Sequence, residues 1–190
     1  MMLPREKAYT YADILARDES ERVELIYGYP YMMAPPKRVH QAVSGELFGQ
    51  LRDYLKGKTC KVYHAPFGVR LFEEAGDSPY DVDTLVEPDI SVVCDPAKLD
   101  EDGCRGAPDL IIEILSPSTV RHDRLTKFNL YQRAGVREYW IVDPSARTVA
   151  VHLLDEGQYG SPDFYTGEAV VPVSILEGCQ IDLNAVFSNE

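Results

Sequence analysis

A chain of 190 residues with 45% hydrophobic and 26% charged side chains has the make-up of a single folded domain over residues 1–190, long enough to bury roughly 70% of its unfolded surface. That composition excludes disorder and low complexity. The charged opening MMLPREKAYTYADILARDES leaves no room for a signal peptide's apolar stretch, and no apolar run approaches the ~18 residues of a membrane span, so no membrane is expected and a cytoplasmic location is. The net charge of −12 is unevenly spread. Residues 37–70 hold seven Lys/Arg against two Asp/Glu and residues 116–140 five against two, whereas residues 71–115 hold two against thirteen. Two basic blocks therefore flank an acidic one. Cys60, Cys94, Cys104 and Cys179 show no C-x-x-C spacing, which argues against zinc or a redox pair and makes reduced thiols the expectation.

In chain order, TYADILARDESER predicts a short helix capped by Thr10, and VELIYGYPYMM a strand. After Pro35-Pro36, RVHQAVSGELFGQLRDYL sets Val39, Val43, Leu47, Leu51 and Leu55 four apart, the apolar stripe of a long helix. Three extended runs follow, CKVYHAPFGVRLF, LVEPDISVVCD and DLIIEILS. SPST offers caps for a second long helix, VRHDRLTKFNLYQRAG, ended by Gly135, and EYWIVD is a short strand. TVAVHLLDEGQY and PDFYTGEAVVPVSILEGCQIDL predict further antiparallel strands. The central order is αβββαβ.

Within DLIIEILS, Leu110, Ile112 and Ile114 share one face and Ile111, Glu113 and Leu115 the other, so the strand is central and Glu113 enclosed. A buried carboxylate without a partner costs several kcal/mol, a large share of a net stability of about 5–15 kcal/mol. It needs a cation or a proton, and a structural salt bridge or a strand-end position facing water is the plainer alternative to a functional role. Asp109 lies four residues away in the same strand, about 13 Å, which is too far to share a metal ion. Asp89, in the preceding run, reaches Glu113 if the strands are neighbours about 4.8 Å apart. Repulsion between two such acids is relieved by a divalent cation, so Glu113→Gln is expected to keep or raise stability without metal. Asp123, Lys127 and Tyr131 recur every four residues and line one helix face. An ammonium there could orient water and stabilise a phosphate oxygen, with Tyr131 donating a hydrogen bond, whereas a surface lysine paired with Asp123 is the plainer alternative.

VELIYGYPYMMAPPKRVHQAV, VEPDISVVCD, GAPDLIIEILSPST and DRLTKFNLYQRAGVREYWIVDP together resemble the Uma-two family, a branch of the PD-(D/E)XK nuclease superfamily. The resemblance implies a restriction-endonuclease-like α/β (α+β) fold, with an αβββαβ core, a mixed central sheet flanked by helices, and extra N- and C-terminal strands. It also implies Mg²⁺ or Mn²⁺ held by Asp89 and Glu113. Leu115 stands where the E-x-K pattern has lysine, and Lys127 is the substitute the neighbouring helix offers. By the same resemblance Glu24, in Glu24-Leu25-Ile26-Tyr27-Gly28, approaches the pocket as a water-mediated metal contact or a structural salt bridge. His40 and Gln41 approach it from the first core helix, His40 as a catalytic group or as a neutral hydrogen-bonding one.

The function expected is metal-dependent hydrolysis of DNA, with the basic blocks against its backbone. A catalytically silent module binding nucleic acid or protein, and an acidic-metal hydrolase of small phosphate esters, are the alternatives. The apolar and aromatic stretch VAVHLLDEGQYGSPDFY adds the expectation of a homodimer.

Overall fold

The computed structural model describes residues 8–16, 22–73, 76–116 and 126–188. Helix α1 (Tyr11–Leu15) begins at Thr10, whose backbone N–H donates to Asp13 Oδ2 at 3.0 Å. The expected strand VELIYGYPYMM is a hairpin, β1 (Val23–Ile26) and β2 (Tyr29–Met32). Its reversal falls on Tyr27 and Gly28, both at positive φ (50° and 79°). At Gly28 a Cβ would lie 2.7 Å from Ala8 Cβ, so glycine is required there for space as well as conformation.

Helix α2 (Arg38–Leu55) follows, with Val43, Leu47, Leu51 and Leu55 buried as the stripe predicts. Two of the three extended runs split. CKVYHAPFGVRLF becomes β3 (Lys61–His64) and β4 (Val69–Arg70), and LVEPDISVVCD becomes β5 (Leu85–Val86) and β6 (Ile90–Val93). Prolines lie at both breaks, Pro66 and Pro88, where a missing N–H cannot continue a ladder. A short hairpin, β7 (Leu99–Asp100) and β8 (Gly103–Arg105), precedes β9 (Leu110–Ile114). The predicted second helix is described from a π-helical turn at 126–127 into α3 (Phe128–Ala134), ended by Gly135 in the left-handed conformation (φ 87°). Of its expected cap, residues 117–119 lie outside the described residues, as does Asp123.

Strand β10 (Glu138–Asp143) is followed by β11 (Thr148–Asp155), β12 (Gln158–Tyr159), β13 (Asp163–Thr166), β14 (Val170–Pro172) and β15 (Gln180–Asp182). Helix α4 (Leu183–Ser188), absent from the sequence reading, buries Leu183, Val186 and Phe187. Six residues are too few to show a helical period.

The main sheet runs β12-β11-β10-β9-β6-β3, with β9 parallel to β10 and antiparallel to β6. A second sheet runs β2-β1-β5-β4-β8-β7. On one face of the main sheet Ile90, Val92, Leu110, Ile112, Ile114 and Trp140 pack with α2 and α4. On the other, Ile111, Val93, Tyr139 and Ile141 pack with Leu130 and Tyr131 of α3 and with Ile26, Val69 and Val86 of the second sheet. The sequence α2–β3–β6–β9–α3–β10 is the expected αβββαβ order, threaded through a second sheet. Among the described residues no helix is long and apolar enough to cross a membrane.

The cysteines depart from expectation. Cys60 and Cys94 form a disulfide, and only Cys104 and Cys179 are free, both buried. Spacing along the chain hides this, because the two residues meet across strands: Lys61 pairs with Val93, so Cys60 faces Cys94 one step beyond. In the entropic account, closing a loop of 34 residues stabilises by up to about 4 kcal/mol. Denaturing alkylation is expected to label two cysteines before reduction and four after it. Four labelled before reduction, by mass spectrometry, would refute the bond.

Candidate active site

Three carboxylates and one ammonium meet where β1, β6, β9 and the start of α3 converge. The register Ile90↔Ile112 puts Asp89, immediately before β6, opposite Glu113. Because Ile90 and Ile112 face α2, Asp89 and Glu113 emerge on the opposite side, toward α3 and the second sheet. Asp89 Oδ2 accepts the backbone N–H of Ile114 at 2.7 Å and lies 3.1 Å from His40 Nε2. The Asp89 carbonyl accepts from Ala65 N at 3.0 Å, extending the β3–β6 ladder by one rung. Asp89 Oδ1 takes no part in these bonds, and the residue lines a cavity of about 410 Å³.

Glu113 is 4% exposed and Glu24, on β1, 2% exposed. Between them lies Lys127, 3% exposed, whose Nζ donates to Glu24 Oε1 at 2.8 Å and to Glu113 Oε1 at 2.9 Å. Glu24 Oε1 also accepts the backbone N–H of Glu87 at 3.0 Å. Tyr131, one helical turn beyond Lys127, donates its hydroxyl to Glu113 Oε1 at 2.6 Å. Burial, and next the Glu113 charge, push the Tyr131 hydroxyl well above its ordinary pKa, so it stays a neutral donor at any working pH. The π-helical turn at 126–127 begins the helix with Lys127 at the carboxylates.

The six candidate catalytic and metal-site residues fall in one place: Glu24, His40, Asp89, Glu113 and Lys127 line the cavity, and Tyr131 lies behind Glu113. Gln41 and Lys37 also line it. Asp109 is elsewhere, accepting from Cys94 N at 2.8 Å and from Arg137 Nη1 at 3.2 Å, as befits a structural residue. Leu115 points into the apolar cluster around α3 rather than into the cavity. Sequence reasoning missed His64, Ala65 and the strap 31–36 as cavity walls. Only the proximity of YPYMMAPP to the ELI stretch carries any signal of them. It also missed that Lys127 bridges Glu24 as well as Glu113, a pairing across 103 positions.

This bridge reverses one expectation. With Glu113 already paired to an ammonium and a hydroxyl, removing its charge relieves no net repulsion and instead loses a buried charged hydrogen bond.

An αβββαβ core with acids converging from adjacent strands is a restriction-endonuclease-like fold. The chain belongs to the Uma2 family, described as "Putative restriction endonuclease", whose model matches residues 8–184. The fold is shared with a crystal structure of a "putative nuclease belonging to DUF820" from Anabaena variabilis, with a TM-score of 0.74 at 22% identity, covering 94% of this chain and 97% of that one. The chain is also 26% identical over 143 residues to an uncharacterized protein of Synechocystis sp., covering 74% of this chain and 71% of the relative. Family membership supports a nuclease.

Lys127→Met leaves two buried carboxylates facing each other without a cation and is expected to lower metal-free stability by about 3–5 kcal/mol. Glu113→Gln is expected to cost about 1–3 kcal/mol. Urea unfolding in EDTA measures both, and a Glu113→Gln protein as stable as the parent would restore the repulsion account.

Proposed function

We propose that the chain hydrolyses phosphodiester bonds of DNA with a divalent ion, Mg²⁺ or Mn²⁺, held by Asp89 and Glu113. The observation that carries this reading is the meeting of Asp89 and Glu113 from neighbouring strands beside the Lys127 ammonium, in a cavity open to substrate. The donor set fits such an ion. Asp89 and Glu113 offer carboxylate oxygens to the cavity, which suits a hard cation that takes one or two carboxylates and completes its shell with water and substrate phosphate.

The chain's own groups divide the work. Ile114 N–H and His40 engage Asp89 Oδ2, which leaves Oδ1 as the oxygen offered to the ion. Among the described residues His40 Nδ1 is buried without a hydrogen-bond partner, and Nε2 meets Asp89. Tyr131 fixes Glu113 from behind without exchanging a proton. Lys127 holds Glu113 and Glu24 in place and brings positive charge to the position where the attacking water and the phosphate oxygens would sit. Glu24 Oε1 accepts from Lys127 and from the Glu87 amide, and its place beside Glu113 across the ammonium suits a water-mediated contact to the ion. The ion when bound lowers the pKa of a water and neutralises charge on the phosphate. Lys37 on the cavity wall, within the basic block at residues 37–70, would neutralise DNA phosphates, so affinity would fall with salt. A DNA substrate would suit a cytoplasmic location, whereas the Cys60–Cys94 bond points the other way, since disulfides are rare in reducing compartments.

Two observations favour a silent module instead. The Glu24–Lys127–Glu113 bridge satisfies both carboxylates without any ion, and position 115 lacks the motif lysine. The homodimer remains part of the proposal on reduced grounds. Val149, Val151 and Tyr159 of the expected surface are core, leaving Leu153 and Phe164, 38% and 73% exposed, as its apolar contacts.

Plasmid DNA is expected to be cut in Mg²⁺ or Mn²⁺ and left intact in EDTA. Asp89→Asn, which keeps an acceptor for Ile114 N–H, is expected to fold, to lose the metal-induced rise in melting temperature and to lose cleavage. Lys127→Ala is expected to slow cleavage by about 10²–10³. DNA binding with no cleavage in either metal would decide for the silent module. A monomeric mass by light scattering at micromolar protein would remove the dimer.

A further inference from the structure

Ten large hydrophobic side chains stand exposed among the described residues, and five of them, Tyr27, Tyr29, Tyr31, Met32 and Phe72, lie on or beside the β1–β2 hairpin. Four are aromatic and three carry a hydroxyl. The register Glu24↔Tyr31 and Ile26↔Tyr29 sets both tyrosines on the face of the hairpin that carries Glu24, about 7 Å apart along the strand. Tyr31 lines the cavity, Tyr29 is 58% exposed, and Tyr27 follows at the reversal. Tyr27 and Phe72 have near-parallel rings with centroids 6.0 Å apart. The exposed Arg133 guanidinium, carried by α3, lies 5.4 Å from one ring centroid and 5.6 Å from the other. Both aromatics sit at positive φ, 50° and 63°. Side chains of this size rarely adopt that backbone, and it is kept where the surroundings or the function demand it. The ridge thus leads from the cavity along one edge to an aromatic pair with a cation against it.

We propose that this ridge stacks the unpaired bases of a single-stranded DNA segment whose backbone enters the cavity, so that single-stranded or locally opened DNA is the form the chain engages. The inference rests on the nuclease reading and adds to it the state of the substrate. Flat rings arrayed along a strand suit bases, since every base has a stacking face, and intact duplex hides those faces. The guanidinium of Arg133 adds charge complementary to phosphate and a planar group of its own for stacking. A second copy of the chain or a peptide would bury the same rings, but either would also cover Tyr31 and Met32, which wall the cavity that holds Lys127 and Asp89.

The test uses the full chain in EDTA, where metal-dependent cleavage is silent, with a fluorescein-labelled oligothymidylate and a duplex of equal length. Fluorescence anisotropy is expected to show the single strand bound at least about tenfold more tightly than the duplex. Tyr29→Ala and Phe72→Ala are each expected to weaken single-strand binding by about five- to tenfold, while Tyr29→Phe keeps it. Thermal melting of each variant checks that it folds, which the exposure of Tyr29 favours. Equal affinity for the two forms, no binding of either, or alanine variants that bind like the parent would overturn the proposal. So would a dimer, seen by light scattering, that Tyr29→Ala dissociates. A parallel cleavage assay of the parent and of both alanine variants in Mn²⁺, on single-stranded DNA, keeps the two readings apart. Stacking-dependent binding without cleavage would sink the nuclease reading alone, and cleavage indifferent to Tyr29 and Phe72 would sink the ridge alone.

Discussion

The Lys127 ammonium is the interaction on which the site's geometry depends. Its two bonds join β1 of one sheet to β9 of the other through the entry to α3. A fully desolvated ammonium is tolerable only with carboxylates beside it, and two enclosed carboxylates are tolerable only with a cation between them. Each group is the condition for burying the others. The two sheets are thereby joined by charge at this point, with Tyr131 and the Glu87 amide taking further lone pairs of the same acids.

Around that charged contact the apolar layers are conventional. The main sheet is covered on one side by α2 and α4 and on the other by α3 and the face of the second sheet that carries Ile26, Val69 and Val86, so β9 is buried on both faces. Glu113 is the one ionisable residue in that strand. Its neighbours Ile112 and Ile114 contribute to the opposite core, which leaves the acid free to project toward the helix.

Much of this was legible in the sequence because the relevant signals are local. The four-residue stripe of α2, the αβββαβ order, the Gly135 stop and the opposition of Asp89 and Glu113 all follow from period, parity and strand spacing. What escaped depends on distant partners. The division of two extended runs between sheets leaves only Pro66 and Pro88 as a trace. The Cys60–Cys94 bond follows from a register that no spacing rule reveals. The Lys127–Glu24 pair joins residues 103 positions apart. In α3 the four-residue spacing correctly placed Lys127 and Tyr131 on one face, while the charge partner came from another sheet.

The short β3–β6 ladder behaves as a ruler. At one end the cysteines clamp the two strands together, and at the other the Ala65 amide meets the Asp89 carbonyl, with four paired positions between. A residue gained or lost between 89 and 94 would turn Asp89 to the wrong side of the sheet, and one gained or lost between 60 and 65 would break either the cysteine clamp or the Ala65–Asp89 rung. Descendants of this chain should therefore keep these two six-residue stretches at constant length.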